Sequence, residues 1–471
     1  MGRVVTGTGG SYVTRTSCIR DRANRRAASI LVCLALLVLL PGCLGPTRAP
    51  KPDPTQVGRW RQDLHYMADN LERLHKNLFF NIKEVEFQGI VERIDRSAES
   101  LDDARMIIAL MRLGASVRDS HTGLRWWDDP RLRRYPLGLY WFSDGIFVTH
   151  AAEKYERALG CRLVRVGRWD VAEVCLAVRD LIPHENRIGL RLNAPRYLIV
   201  PEILHALGYA DDMEQARFVF QDAGGQQFEL ELSPLPAERA EDVQLVSAVG
   251  RQVVPRPLFL EHDDAYWYEY LQDSGTLYCQ YSQCVSNEDR PFDGFADEVL
   301  EFVDDHPVDR FVLDLRRNAG GNSLVARPLI EGLARRQRIN QPGRLFVLIG
   351  PKTFSSAMLN AIELRRSTEA ILVGEPTGQK PNAYGEVRTF ELPNSRLTVS
   401  YSTKYFQAVD GDPPALIPDV QVALSSADYF AGRDPVMEAV LAYPRQSAGV
   451  KPVEHAVATQ AGGSSADGPS D

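Results

Sequence analysis

The sequence predicts an α+β chain of several domains, and three changes of pattern carry that expectation. Residues 59–127 show helical periodicity, residues 136–240 show short β-type runs broken by glycines, and residues 250–445 alternate strands with helices. At 471 residues, 44% hydrophobic and 25% charged, the chain is globular, and about 100–200 residues per domain allows two or three domains with sizeable cores. A formal charge of −8 without a dense Lys/Arg block argues against a nucleic-acid partner, because holding a phosphate backbone needs a basic face.

Residues 1–43 read as a targeting leader. Arg20, Arg22, Arg25 and Arg26 precede an apolar run from Ala27 to Leu40, which falls short of the roughly 20 residues that span a bilayer. The run ends in Leu40-Pro41-Gly42-Cys43, which resembles a bacterial lipoprotein cleavage box, with Pro41 where a small residue is usual. That resemblance implies lipid attachment at Cys43, a membrane partner and an extracytoplasmic location in the cell envelope; ordinary signal cleavage and an uncleaved anchor stay open. Residues 44–58 read as a tether. The cysteines beyond the leader are Cys161, Cys175, Cys279 and Cys284. An oxidising compartment permits disulfides, and both a Cys161–Cys175 bridge and buried free thiols stay open. Cys279 and Cys284, five apart on a strand, point to opposite faces. Neither Cys-x-x-Cys nor His-Glu-x-x-His spacing occurs, so no metal and no cofactor is expected.

In the helical module Leu64, Met67, Leu71 and Leu74 recur at three and four, and Ile107, Leu110, Met111 and Leu113 crowd a later helix. It closes on Ser116-Val-Arg-Asp-Ser-His-Thr-Gly123. The β-rich stretch follows, with runs at Leu137–Phe142, Ile146–Thr149, Arg162–Val166, Phe218–Phe220 and Phe228–Leu232. From there come a strand at Thr276–Tyr281, a helix at Phe292–Asp305 and a strand at Arg310–Asp314. That strand runs into Asp314-Leu-Arg-Arg-Asn-Ala-Gly-Gly-Asn-Ser323, where two glycines after a buried strand let a backbone approach closely with N–H groups exposed.

The segment from Gly350 to Glu386 concentrates the candidate chemistry. A strand at Leu345–Ile349 and a small-residue turn lead into a helix near Ala357–Arg365, presenting Ser355 beside backbone N–H groups without intrahelical partners. Taken alone, this fits an N-cap at Thr353 or Ser355 as well as a nucleophile. Lys380 follows Ser355 by twenty-five positions, in the polar loop Thr377–Asn382. Two β-type runs, Glu386–Leu392 and Leu397–Tyr401, precede Asp410-Gly-Asp-Pro-Pro-Ala-Leu-Ile-Pro-Asp419, and residues 446–471 are Ala/Gly/Ser/Pro-rich and expected to be disordered.

Ser-Ser-Ala, its helix, the Ala-Ile-Leu-Val strand and Gly-Glu-Pro-Thr resemble, in order and register, the tail-specific (C-terminal processing) serine peptidases and their tricorn-like branch. Asp-Leu-Arg-x-Asn-x-Gly-Gly, Asp-Ser-His-Thr and the closing Pro-Asp resemble motifs of the same family. The resemblance implies a degenerate PDZ-like domain at 136–240, without a recognisable carboxylate-binding loop, and a crotonase/ClpP-like core at 250–445. It implies a serine endopeptidase working through an acyl-enzyme on protein or peptide substrates, with Ser355 as nucleophile, Ser356 as its rival, and Gly320 or Gly321 with the Ser356 N–H as oxyanion hole. His121 carries the base of the tricorn-like branch, and Lys380 the base of another. His121 is preferred because a lysine, ordinarily near pKa 10.4, must be desolvated to act as a base near neutrality, and this loop is polar. Asp412, one methylene shorter, stands where the family places a glutamate that orients the catalytic water or base, which makes it the expected carboxylate partner of His121 or its water; Met358 stands where the family often has an acid. A non-catalytic binding protein on the same scaffold is the other reading; oligomeric state and physiological substrate are not legible.

Overall fold

The computed structural model describes residues 53–127, 129–235, 244–249 and 256–444; the leader with Cys43, most of the tether and residues 446–471 lie outside them. Among the described residues no helix is long and apolar enough to cross a membrane.

The first helix, Gln56–Leu74, starts where the Thr55 side chain accepts the Gly58 N–H, and it buries Leu64, Met67, Leu71 and Leu74 along one stripe. Helix Glu84–Ser97 packs beside it, and helix Asp103–Ser116, capped by Asp102, packs on that second helix. After this last helix, Arg118 at φ 56 turns the chain, and the short strand Gly123–Arg125 pairs antiparallel with Thr398–Phe406. That strand forms a long hairpin with Ala383–Glu391, whose Phe390 joins Val399 and Tyr401 in one apolar cluster with the helical module. The hairpin assigned by sequence to the core thus also closes the helical module.

The β-rich region builds an antiparallel sheet in which Leu137–Phe142, Gly145–Ala151, Arg162–Val166, Ala216–Gln221 and Gln227–Leu232 lie side by side in chain order. Helices Val171–Val178, Arg187–Tyr197 and Pro201–Ala206 are inserted between its third and later strands.

The last region holds a six-stranded sheet. Thr276–Tyr281, Arg310–Asp314, Leu345–Ile349, Ile371–Gly374 and Val420–Gln421 run parallel, with Tyr266–Leu271 antiparallel at one edge. Every residue of Arg310–Asp314 and Leu345–Ile349 is buried, as strands covered on both faces must be. Phe295 and Val299 from helix Phe292–Asp305, with Leu329 and Ala361, cover one face, while Val436, Met437 and Val440 from helix Pro435–Ala442 cover the other. The carboxyl ends of the three central strands emerge at one edge, where open α/β sheets place their ligands. Cys161, Cys175, Cys279 and Cys284 are all buried free thiols.

Candidate active site

The turn after Leu345–Ile349 is held from inside. The Gly350 N–H donates to Thr353 Oγ1 at 3.0 Å, that hydroxyl donates to the Leu315 carbonyl at 2.8 Å, and the Phe354 N–H reaches the Asn318 carbonyl at 3.0 Å. Ser355 follows at φ 53, ψ −122 and precedes helix Ser356–Ser367 without using its side chain as a cap. A side-chain-bearing residue pays steric strain of about 1–3 kcal/mol in such a region, held only by the structure around it. Ser356 differs: its hydroxyl is buried and donates to the Gly321 carbonyl at 2.7 Å.

Across from Ser355 lies the double-glycine loop, with Gly320 at φ 103 and Gly321 at φ 137. A Cβ on Gly320 would stand 2.8 Å from Ser355 Cβ, and one on Gly321 2.3 Å from the Cys284 carbonyl oxygen, so no side chain fits at either position. The sequence offered both glycines as oxyanion donors; the structure separates them. The Gly320 N–H donates to Asn318 Oδ1 at 2.9 Å, whereas the Gly321 N–H has no acceptor among the described residues. The Ser356 N–H, at the first helical position, has no intrahelical acceptor. The Ser355 N–H is occupied, donating to Gln379 Oε1 at 2.7 Å.

Gln379 also links Ser355 to His121. Its Nε2 lies 3.4 Å from His121 Nδ1, and the imidazole packs against Phe354 with ring centroids 4.7 Å apart. His121 Nδ1 is 3.9 Å from Asp119 Oδ1. Asp119 is almost wholly buried and accepts from His75 Nε2 at 3.0 Å, Thr122 Oγ1 at 2.5 Å, Ser402 Oγ at 2.6 Å and the His121 N–H at 3.0 Å. A second carboxylate, Glu185, accepts from Ser120 Oγ at 2.6 Å and from the Lys380 N–H at 3.0 Å. Donor atoms of Asp119, His121 and Glu185 lie within 4.8 Å of one another, so this is also where a metal ion would find ligands.

Burial sets the ionisation of these groups. It would raise Asp119, but hydrogen bonds from His75, Ser402 and Thr122 and the attraction of His121 overcome it and hold the carboxyl at about 2. Burial lowers His121 below its ordinary 6.5, against the pull of Asp119 and a hydrogen bond to the Tyr384 backbone. Burial, with repulsion from Asp119, lifts Glu185 to about 7 despite its bonds to Ser120 and Lys380. The depressed Asp119 value means that stability is fully present above the unfolded value of 3.8 and is lost as pH falls through about 2, a loss of about 2 kcal/mol for this group. Urea unfolding of wild type should therefore weaken between pH 4 and pH 2. Asp119→Asn should be less stable at pH 7 and show a flatter acid limb; an unchanged limb would contradict the assignment.

Lys380 and Asp412 are placed together as an ion pair. Lys380 Nζ lies 2.6 Å from Asp412 Oδ2, and the Asp412 side chain is 66% exposed. The sequence put Asp412 beside His121; the carboxylates that approach the ring are instead Asp119 and Glu185, because the Asp412 loop turns outward onto the lysine. Asp314 and Arg316 of the double-glycine motif do not face the site either, since Arg316 bridges Asp314 and Asp434 and ties the sheet to the last helix. Met358 is buried and receives the Thr377 hydroxyl on its sulfur at 3.7 Å. Asp119 and Gln379 had a signal in sequence, each within two residues of a motif residue; Glu185 had none.

No known family model matches the sequence, and no curated protein matches it. Solved structures do. Mature CPAF complexed with lactacystin superposes with a TM-score of 0.58 at 12% identity, over 82% of this chain and 97% of that one. A CPAF mutant with one serine replaced by alanine gives 0.57 at 12% identity, over 83% and 99%. The photosystem II D1 C-terminal processing protease gives 0.37 at 14% identity, over 77% and 92%. The chain thus has the fold of mature CPAF.

Proposed function

We propose that the chain is a serine peptidase of the tail-specific, tricorn-like kind, acting on protein substrates. The observation that supports it most is Ser355, held at positive φ against the double-glycine loop and linked through Gln379 to His121. In this reading Ser355 Oγ attacks a peptide carbonyl carbon while His121 takes its proton. The Gly321 and Ser356 N–H groups receive the developing oxyanion, and losing one such donor costs about 2.7–4 kcal/mol of barrier. The imidazolium then protonates the leaving amine, the C–N bond breaks, and water activated by His121 hydrolyses the acyl-enzyme. Asp119 stabilises the imidazolium by charge, and Glu185 fixes the backbone before it through Ser120.

Two further parts of the reading rest on sequence resemblance: lipid anchoring at Cys43 in the cell envelope, and a PDZ-like role for the β-rich sheet. A fluorophosphonate probe tests the chemistry. It should label the folded protein, and peptide mapping should find the adduct on Ser355 and not Ser356. A folded protein that stays unlabelled would instead leave the scaffold as a non-catalytic binding protein.

A further inference from the structure

A cavity of about 1160 Å³ runs between helices Glu84–Ser97 and Asp103–Ser116 and the segment around residues 179–187, and its wall includes Glu185 and Lys380. Glu185 holds Ser120, the neighbour of His121, so one end of the groove reaches the site. The volume exceeds the roughly 300–1,000 Å³ of small-molecule pockets.

Its charge opposes that of the chain. Seven cationic side chains line it against three carboxylates, in a protein whose formal charge is −8. Three of the cations are satisfied locally: Arg105 by Asp102, Arg179 by Asp180 and Lys380 by Asp412. The other four, Arg93, Arg112, Arg118 and Arg187, are exposed and form no ion pair among the described residues. Between them lies apolar surface, including Val85 at 75% exposure and Ile90. Gly89 sits mid-helix in the same wall. A Cβ there would meet nothing closer than Arg93 Nη1 at 3.5 Å, an ordinary contact, so the protein's own packing does not demand a glycine that costs a helix roughly 0.5–1 kcal/mol. Its lack of a side chain leaves the groove open.

We infer that this groove receives an acidic, aliphatic-bearing stretch of the substrate polypeptide and leads it to Ser355. The inference deepens the peptidase reading and rests on it for the word substrate. Complementary charge raises the encounter rate and selects partners, and salt screens it; the aliphatic surface between the arginines favours a polypeptide over a nucleic acid, which would meet cations without stacking partners.

The test uses full-length Ser355→Ala protein, which binds without turnover, and a fluorescein-labelled fifteen-residue peptide of glutamates and leucines. Binding should weaken by about tenfold or more when the glutamates become glutamines, when salt rises from 50 to 500 mM, and in Arg112→Glu/Arg187→Glu. Gly89→Phe should block binding while matching or exceeding the parent's thermal stability. Equal binding of the glutamine peptide, full affinity in the charge-reversed or blocked variants, or capture of a single-stranded oligonucleotide in preference to the peptide would overturn the inference. In a Ser355 background the charge-reversed variant should keep fluorophosphonate labelling. Labelling absent already in wild type would defeat the peptidase reading, with the peptide arms still deciding what the groove binds.

Discussion

Ser355→Ala should lower kcat on a protein substrate by on the order of 10⁶, the effect of removing the nucleophile from a working serine site, with the fold unchanged. Ser356→Ala should keep most activity, because its hydroxyl is spent on the Gly321 carbonyl and only its N–H faces the candidate oxyanion position. A glycine at 355 separates chemistry from strain. Alanine inherits φ 53 with its Cβ intact, whereas glycine adopts that region freely, so Ser355→Gly should be as inactive as alanine yet more stable by about 1 kcal/mol. Steady-state kinetics and thermal unfolding of the three variants decide it. An active Ser355→Ala protein would remove the nucleophile assignment, and a Gly variant no more stable than Ala would show that the turn is unstrained.

The parallel core was legible almost to the residue, and the reason is physical. Thr276–Tyr281, Arg310–Asp314 and Leu345–Ile349 are short apolar runs buried on both faces, and burial writes a continuous signal. The helices of the β-rich region were not legible. Val171–Val178 is apolar nearly all round, and Arg187–Tyr197 carries Pro195 inside it, so neither shows a clear 3.6-residue stripe. Tertiary packing overrides those local preferences. The site divides in the same way. Ser355, His121 and the double glycine lie in motifs whose spacing reflects local geometry. Glu185 reaches Ser120 from 65 positions along the chain, with nothing in Pro183-His-Glu-Asn186 to mark it. Asp412 shows the converse: a motif resemblance marked it, but its side chain sits in an outward loop and Lys380 takes it.

His121→Ala should be nearly as damaging as loss of Ser355, by on the order of 10⁵–10⁶ in kcat, while Lys380→Ala should keep measurable turnover. Lys380 Nζ is engaged by Asp412 at 2.6 Å, whereas the imidazole shares Gln379 with the Ser355 backbone. The pH profile adds a readout that a structural histidine would not move. A base works deprotonated, and burial lowers His121 below 6.5, so activity should persist beneath that pH and fall only as the ring protonates. Glu185, lifted to about 7, supplies a second inflection. Above it the ionised carboxylate stabilises the imidazolium formed in the transition state, so the rate should rise again through pH 7. Glu185→Gln should erase that upper inflection and leave the lower one, with labelling by fluorophosphonate retained. If His121→Ala proves active and Lys380→Ala dead in folded protein, the base is the lysine, the Lys380–Asp412 pair must open during turnover, and the network around Asp119 reverts to a purely structural role.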